Sequence, residues 1–204
     1  MTSLALLRHG PTLWSEEHRL QGRADLSLSD AGRARVERWR LPALCLDRRW
    51  IASPLRRCRE TGEILAATHD RPAPAIEPRL IEMSHGEWEG LQLDELRARF
   101  GAAMAAREAQ GLDYRSEGGE SPRELQARLL PWLRAAAEAG EPLLAIAHKG
   151  VLRALYALAT GWDMVAEPQE KLANDAVHLF RLEPGGGLAV DRLNLPLLEP
   201  SSTR

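Results

Sequence analysis

The chain has 204 residues, enough for one domain with a substantial core. Its 27 Lys and Arg face 29 Asp and Glu, so the net charge of −2 excludes a nucleic-acid or anionic-membrane binder driven by bulk charge. No apolar run reaches the length of a membrane span, and Met1-Thr2-Ser3 lacks a signal peptide's charged head. A cytoplasmic protein with no membrane or nucleic-acid partner is expected, and assembly as a homodimer stays open.

The apolar run Leu4-Ala5-Leu6-Leu7 predicts a buried strand over 3–8, stopped by Gly10-Pro11. A helix is expected over 29–40, a strand over 49–52, a helix over 55–68 and a short strand near 75–81. A helical segment follows over 92–109, then a loop from 110 to 120. Ser121-Pro122-Arg123-Glu124 combines an N-cap, a proline at the first helical position and a capping-box glutamate, so a helix should run to Ala139 and stop at Gly140. Strand 142–147 and helix 150–160 come next. The tail reads as two strands, 176–182 and 188–193, around Gly185-Gly186-Gly187. Strands alternating with helices predict an α/β fold, three layers with a mainly parallel central sheet.

Two of these strands end alike. The first delivers Arg8-His9-Gly10, the second His148-Lys149-Gly150. In open α/β sheets ligands bind beyond the carboxyl ends of the strands. Arginine brings a permanent charge and a fork of donors suited to phosphate or carboxylate. Histidine can attack, shuttle a proton or bind a metal. Cys45 and Cys58 have no metal-ligand spacing and read as reduced core residues, although an exposed Cys58 between Arg57 and Arg59 would be redox-sensitive.

Leu7-Arg8-His9-Gly10 resembles the signature of the histidine phosphatase superfamily, the phosphoglycerate-mutase-like fold. Gln21-Gly22-Arg23 with Leu28-Ser29-Asp30-Ala31-Gly32 is similar to the segment that follows it there. Ser53-Pro54-Leu55-Arg56-Arg57-Cys58-Arg59-Glu60-Thr61 resembles the second arginine motif, with Arg57 as the functional arginine. Arg79-Leu80-Ile81-Glu82 followed by Gly86-Glu87-Trp88-Glu89-Gly90 resembles the stretch carrying the acid, and His148 matches the second histidine. The resemblance covers most of the chain, and it is nearest to the phosphatase branch that includes α-ribazole phosphatase.

The resemblance implies a single histidine phosphatase domain over 1–204, with a substrate-capping insertion around 86–121. It implies a phosphomonoesterase in which His9 attacks phosphorus and becomes phosphohistidine. Arg8, Arg57 and a protonated His148 would clamp the phosphoryl oxygens. Glu82, its pKa raised by burial, would protonate the leaving group. Thr12, Ser15, Gln21 and the backbone of Gly22 would line the phosphate pocket.

Pro11, Ser15 and Lys149 depart from the commoner pattern of Glu or Gln, Asn, and Gly. Ser15 is shorter, which would weaken a phosphate contact or route it through water. Lys149 would take a second anionic group or face solvent. A metal set of His9, His148 and Glu82 is chemically legitimate, but two arginines in one pocket would repel a divalent cation, so no metal and no other cofactor are expected. His18, His69 and His178 read as surface or packing residues; His85, three residues after Glu82, reads either as another such residue or as one bordering the pocket. Substrate choice should lie between Gly86 and Ser121. Two alternatives to a phosphatase for a small phosphorylated metabolite remain: a phosphoglycerate-type mutase and a non-catalytic phosphate-binding module.

Overall fold

The computed structural model describes residues 2–197. Among these, six strands form one sheet: β1 (Thr2–Arg8), β2 (Arg49–Ala52), β3 (Ala75–Ile76), β4 (Leu143–Ala147), β5 (Ala176–Leu182) and β6 (Leu188–Pro196), in the order β3-β2-β4-β1-β5-β6. The pairs β1–β4, β2–β4 and β2–β3 are parallel, while β5 runs antiparallel to β1 and to β6. The sheet is therefore mixed, with its parallel half carrying the strand ends named above. Helices α1 (Leu13–Glu16), α2 (Asp30–Arg38), α3 (Arg56–Thr68), α4 (Leu93–Phe100), α5 (Ala102–Glu108), α6 (Pro122–Ala139) and α7 (Lys149–Thr160) complete it.

Alternate residues of each strand face opposite sides, and both sides are covered. Leu4, Leu6, Leu143 and Ala145 pack with Leu129, Leu133, Leu152 and Leu155 of α6 and α7. Ala5, Leu7, Leu144 and Ile146 pack with Val36, Trp39, Cys58 and Leu65 from the α2 and α3 side. The result is the three-layer α/β/α arrangement. A smaller cluster of Trp88, Leu96 and Met104 forms the core of the 86–121 segment.

The helix predicted over 92–109 is two helices. Gly101, at φ +49, ends α4 and starts α5, a backbone turn that glycine takes without steric cost. The strand predicted over 75–81 stops at Ile76, because Pro78 opens a 3₁₀ turn that the Glu77 side chain caps at the Arg79 N–H. The last strand runs beyond 193, and irregular pairing with β5 leaves Asn194 at φ +56.

Candidate active site

The parallel strands place their ends side by side. Arg8 is in register with Ala147, the His9 N–H donates to the Ala147 carbonyl at 3.0 Å, and the Ser53 N–H donates to Ile146 at 3.0 Å. His9, His148 and Ser53 thus follow three adjacent strands at one edge. The two imidazoles lie 5.3 Å apart between ring centroids, tilted by 60°.

His9 is buried, and its Nδ1 lies 2.7 Å from the Gly10 carbonyl. A carbonyl only accepts, so the proton sits on Nδ1 and Nε2 keeps its lone pair. Burial first, then the charges of Arg8 and Arg57, hold the His9 pKa well below the usual histidine value. The ring is held neutral, with Nε2 unprotonated. Gly10 is fixed in turn, its N–H donating to Thr61 Oγ1 at 2.9 Å, and a Cβ there would meet Val36 Cγ2 at 2.3 Å.

Arg57 is fully buried and its fork is engaged on three sides. Nη1 donates to the Ala24 carbonyl at 2.7 Å, Nη2 to Gly22 at 2.8 Å, and Nε to His148 Nδ1 at 3.2 Å. An arginine Nε–H can only donate, so His148 accepts at Nδ1 and presents its own proton from Nε2 to Ser53 Oγ at 2.7 Å. This corrects the expectation of a protonated His148. Burial, then Arg57, His9, Arg8 and Arg128, push its pKa well below the usual value, and the ring is neutral. Cys58 is also corrected as a redox candidate. Its Sγ is buried 3.4 Å from His148 Nε2, and desolvation pushes the thiol pKa up, so the thiolate is disfavoured.

Glu82 is buried, and both oxygens accept backbone N–H groups: Oε1 from Met83 at 2.8 Å and Oε2 from Gly150 at 3.0 Å. Gly150 is required for that seat, since a Cβ there would lie 2.4 Å from Glu82 Oε1. His85 follows on the same loop. Its Nδ1 is buried without a partner among the described residues, and its pKa is lowered by burial against the nearby charges of Glu82 and Glu89.

Acidic residues to which motif reading gave no role tie the loops together. Glu89 accepts the N–H groups of Arg23, Ala24 and His85 at 2.9, 3.1 and 3.2 Å. Glu120 binds Arg23 and Arg128, and Arg128 also donates to the carbonyls of Arg79 and Ile81. Glu60, buried at the start of α3, receives the Leu28 N–H at 3.0 Å and the Arg56 guanidinium at 2.8 Å. Ser53 and Thr61 belonged to the quoted motif, but only the fold gives each a partner.

Two cavities open at this edge. One, of about 350 Å³, is lined by Arg8, His9, Pro11, Ser15 and Trp39 among others; the second, of about 250 Å³, is lined by Arg8, Lys149, Arg153, Tyr156 and Trp162 among others. Arg8, Ala173 and Asn174 belong to both. The predicted pocket loop is folded on itself. Thr12 Oγ1 donates to Gln21 Oε1 at 3.0 Å, and the Ser15 hydroxyl is taken up by the Thr12 backbone in a capping box at 2.8 Å. Gly22 turns its carbonyl to Arg57. Of the other histidines, His18 is exposed, His69 accepts the Leu41 N–H and packs on Trp50, and His178 is buried under the 170–174 loop.

The model of the histidine phosphatase superfamily, branch 1, matches residues 4–195. The chain belongs to the histidine phosphatase superfamily. Phosphoglycerate mutase-like protein 4 of Arabidopsis thaliana is 32% identical over 89% of this chain and 80% of its own length. Glucosyl-3-phosphoglycerate phosphatase of Mycolicibacterium vanbaalenii is 34% identical over 78% of this chain and 74% of its own. Among solved structures, Bacillus stearothermophilus YhfR superimposes with a TM-score of 0.80 at 29% identity, covering 97% of this chain and 98% of that one. A mycobacterial glucosyl-3-phosphoglycerate phosphatase with VO3 gives 0.77 at 25% identity, covering 96% of this chain and 100% of that one. In this histidine phosphatase the buried Arg57–His148 contact is a catalytic pair, consistent with the superfamily's phosphohistidine-based phosphomonoesterase mechanism. Membership in the family supports a small phosphorylated substrate, and no described helix is long and apolar enough to cross a membrane.

Proposed function

We infer that the protein is a phosphomonoesterase that passes the phosphoryl group of a small metabolite through His9 to water. The observation that carries this is the His9 ring itself: Nδ1 spent on the Gly10 carbonyl, Nε2 free, and two arginines beside it. Nε2 attacks phosphorus, the bond from phosphorus to the ester oxygen breaks, and the departing alkoxide takes a proton from Glu82. Water then attacks the phosphohistidine, Glu82 accepts its proton, the P–N bond breaks and Nε2 recovers its lone pair. Arg8 and Arg57 hold the non-bridging oxygens while charge builds, each donor being worth about 3–4 kcal/mol of barrier. His148 joins them. Its Nδ1 goes on accepting from Arg57, and the neutral ring turns its Nε2 proton from Ser53 to a phosphoryl oxygen.

Segment 86–121 acts as the cap over this pocket. Its tie to the acid loop supports the reading: the Glu120 N–H donates to the Ser84 carbonyl at 2.9 Å. Resemblance to the α-ribazole phosphatase branch makes α-ribazole 5′-phosphate one substrate to screen. Thr12, Ser15, Gln21 and Gly22 shape the phosphate pocket through the Thr12–Gln21 and Gly22–Arg57 contacts rather than as direct clamps.

The test is hydrolysis of p-nitrophenyl phosphate without added metal, by wild type, His9→Ala and Glu82→Gln. Wild type should release nitrophenol and His9→Ala should not. Glu82→Gln should lose more on an alkyl phosphate than on this activated ester, which hardly needs an acid. A silent wild type that isomerises phosphoglycerate with a bisphosphate primer would make it a mutase. Silence in both assays would leave only phosphate binding.

A further inference from the structure

Apart from Arg8, the residues lining the cavity of about 250 Å³ take no part in the phosphoryl chemistry described above, and its charges are out of balance. Lys149 and Arg153 stand one turn apart on the same face of α7, with Arg8 between the two cavities. Like charges at this spacing repel. Elsewhere the chain pairs its cations freely, as in Arg35–Asp175, Arg123–Asp113 and Arg128–Glu120. Among the described residues, the side chains of Arg8, Lys149 and Arg153 make neither a hydrogen bond nor an ion pair, and Arg8 Nε is buried without a partner. Two acids line the same cavity: Glu167, which pairs with Lys171 at 3.2 Å and whose charge also acts on Arg153, and Glu170, which accepts from Asn194 Nδ2 at 2.9 Å; against them stand Arg8, Lys149, Arg153 and Lys171, so positive charge is in excess.

Arg153 is also shaped for a ligand. Its guanidinium lies 4.7 Å over the Trp162 ring, and that ring meets Tyr156 edge-on at 6.0 Å. This cation–π contact anchors the guanidinium while its N–H donors stay free for an acidic group. Lys149 stands one residue before Gly150, whose N–H seats Glu82. Lys149, which lines this cavity, is thus the chain neighbour of the residue that seats Glu82.

We propose that this cavity is a second anion site, in which Lys149 and Arg153 hold an acidic group carried by the alcohol part of the substrate while the phosphoryl group sits at His9. The site rests on the phosphatase reading and names its substrate class: a phosphomonoester whose leaving alcohol ends in a carboxylate or a second phosphate. A volume of about 250 Å³ is at the small end of ligand sites and suits a short, flexible leaving group. Burial and mutual repulsion lower the pKa of Lys149, a cost that an incoming anion relieves. The same charges favour an acidic leaving group over an uncharged nucleoside.

The experiment compares n-alkyl phosphates of three to six carbons with the ω-carboxyalkyl and ω-phosphoryl esters of the same lengths. Wild type should show kcat/KM at least tenfold higher for an acid-ended ester than for its alkyl match, carried by KM and weakened by salt. Arg153→Gln and Lys149→Gly should each shrink that preference toward unity. Carboxylate and phosphate esters distinguish the two forms of the acidic group, and preference for either supports the site. Equal rates for alkyl and acidic esters in wild type, or a preference that survives both substitutions, overturn it while leaving the phosphatase reading intact. No turnover of any ester overturns both.

Discussion

His9 and His148 face each other across 5.3 Å, and their neighbours give them different work. His9 spends its proton on a backbone carbonyl and offers a lone pair; His148 spends its lone pair on Arg57 and offers a proton to Ser53. Neutrality in both comes from desolvation and from arginines within the same pocket. Glu82 depends on a residue with no side chain. Gly150→Ala would press a Cβ to 2.4 Å from Glu82 Oε1 and push the carboxylate from its seat on the α7 N-terminus. General acid catalysis is worth about 10²–10⁴-fold. Gly150→Ala should therefore cut kcat on alkyl phosphates by at least about tenfold and cut p-nitrophenyl phosphate hydrolysis much less. An equal fall on both esters would mean that Glu82 is not the acid.

At the scale of elements, the loop around 170–174 walls both cavities and is pinned to β6 by one side chain. Asn194 accepts the Ala173 N–H at 2.8 Å and donates to Glu170 and to the Lys171 carbonyl at 2.9 and 3.0 Å, while its own N–H reaches His178 Nδ1 at 3.2 Å. Its φ of +56 suits Asn or Gly and strains other residues. Asn194→Gly should lose the three side-chain bonds and lower Tm, and Asn194→Ala should cost about 1 kcal/mol more because it adds the backbone strain. Both should raise KM, checked by thermal unfolding alongside steady-state kinetics. This anchor could not be read from the sequence, because the β6 irregularity leaves no local pattern and His178 looked like an ordinary strand residue. Gly101 is similar, since the helical pattern continues across the break it makes. The strands were legible because Leu4–Leu7 and Leu143–Ala147 must be buried on both faces, and the histidines were legible because each ends such a strand.

For the whole molecule, pH dependence follows from histidines that the fold keeps neutral. His9, His148, His85, His69 and His178 all have pKa values lowered mainly by burial. Each binds a proton more readily unfolded than folded. Their contribution to stability is thus complete above the unfolded value of about 6.5 and is lost as pH falls below it. Urea midpoints should fall progressively from pH 7.5 to pH 5. The buried thiols act in the opposite direction: Cys58 is pushed up strongly and Cys45 to about 11, so stability should also decline above the ordinary thiol range near ~8.5. None of this was legible from spacing. The charge state of His148 depends on Arg57, which lies 91 residues away in the chain and 3.2 Å away in space. The loop-tying role of Glu60, Glu89 and Glu120 escapes motif reading for the same reason, because each acts by joining distant segments.

The most direct test of the account is to trap the covalent intermediate. Wild type would be mixed with an alkyl phosphate, quenched in alkali within the first turnover and digested, and the phosphorylated peptide located by mass spectrometry. The account predicts one acid-labile, alkali-stable phosphoryl group on His9 Nε2, formed at a rate no slower than turnover and absent from His9→Ala. Turnover with phosphate on any other residue, or rapid turnover by His9→Ala, would contradict it.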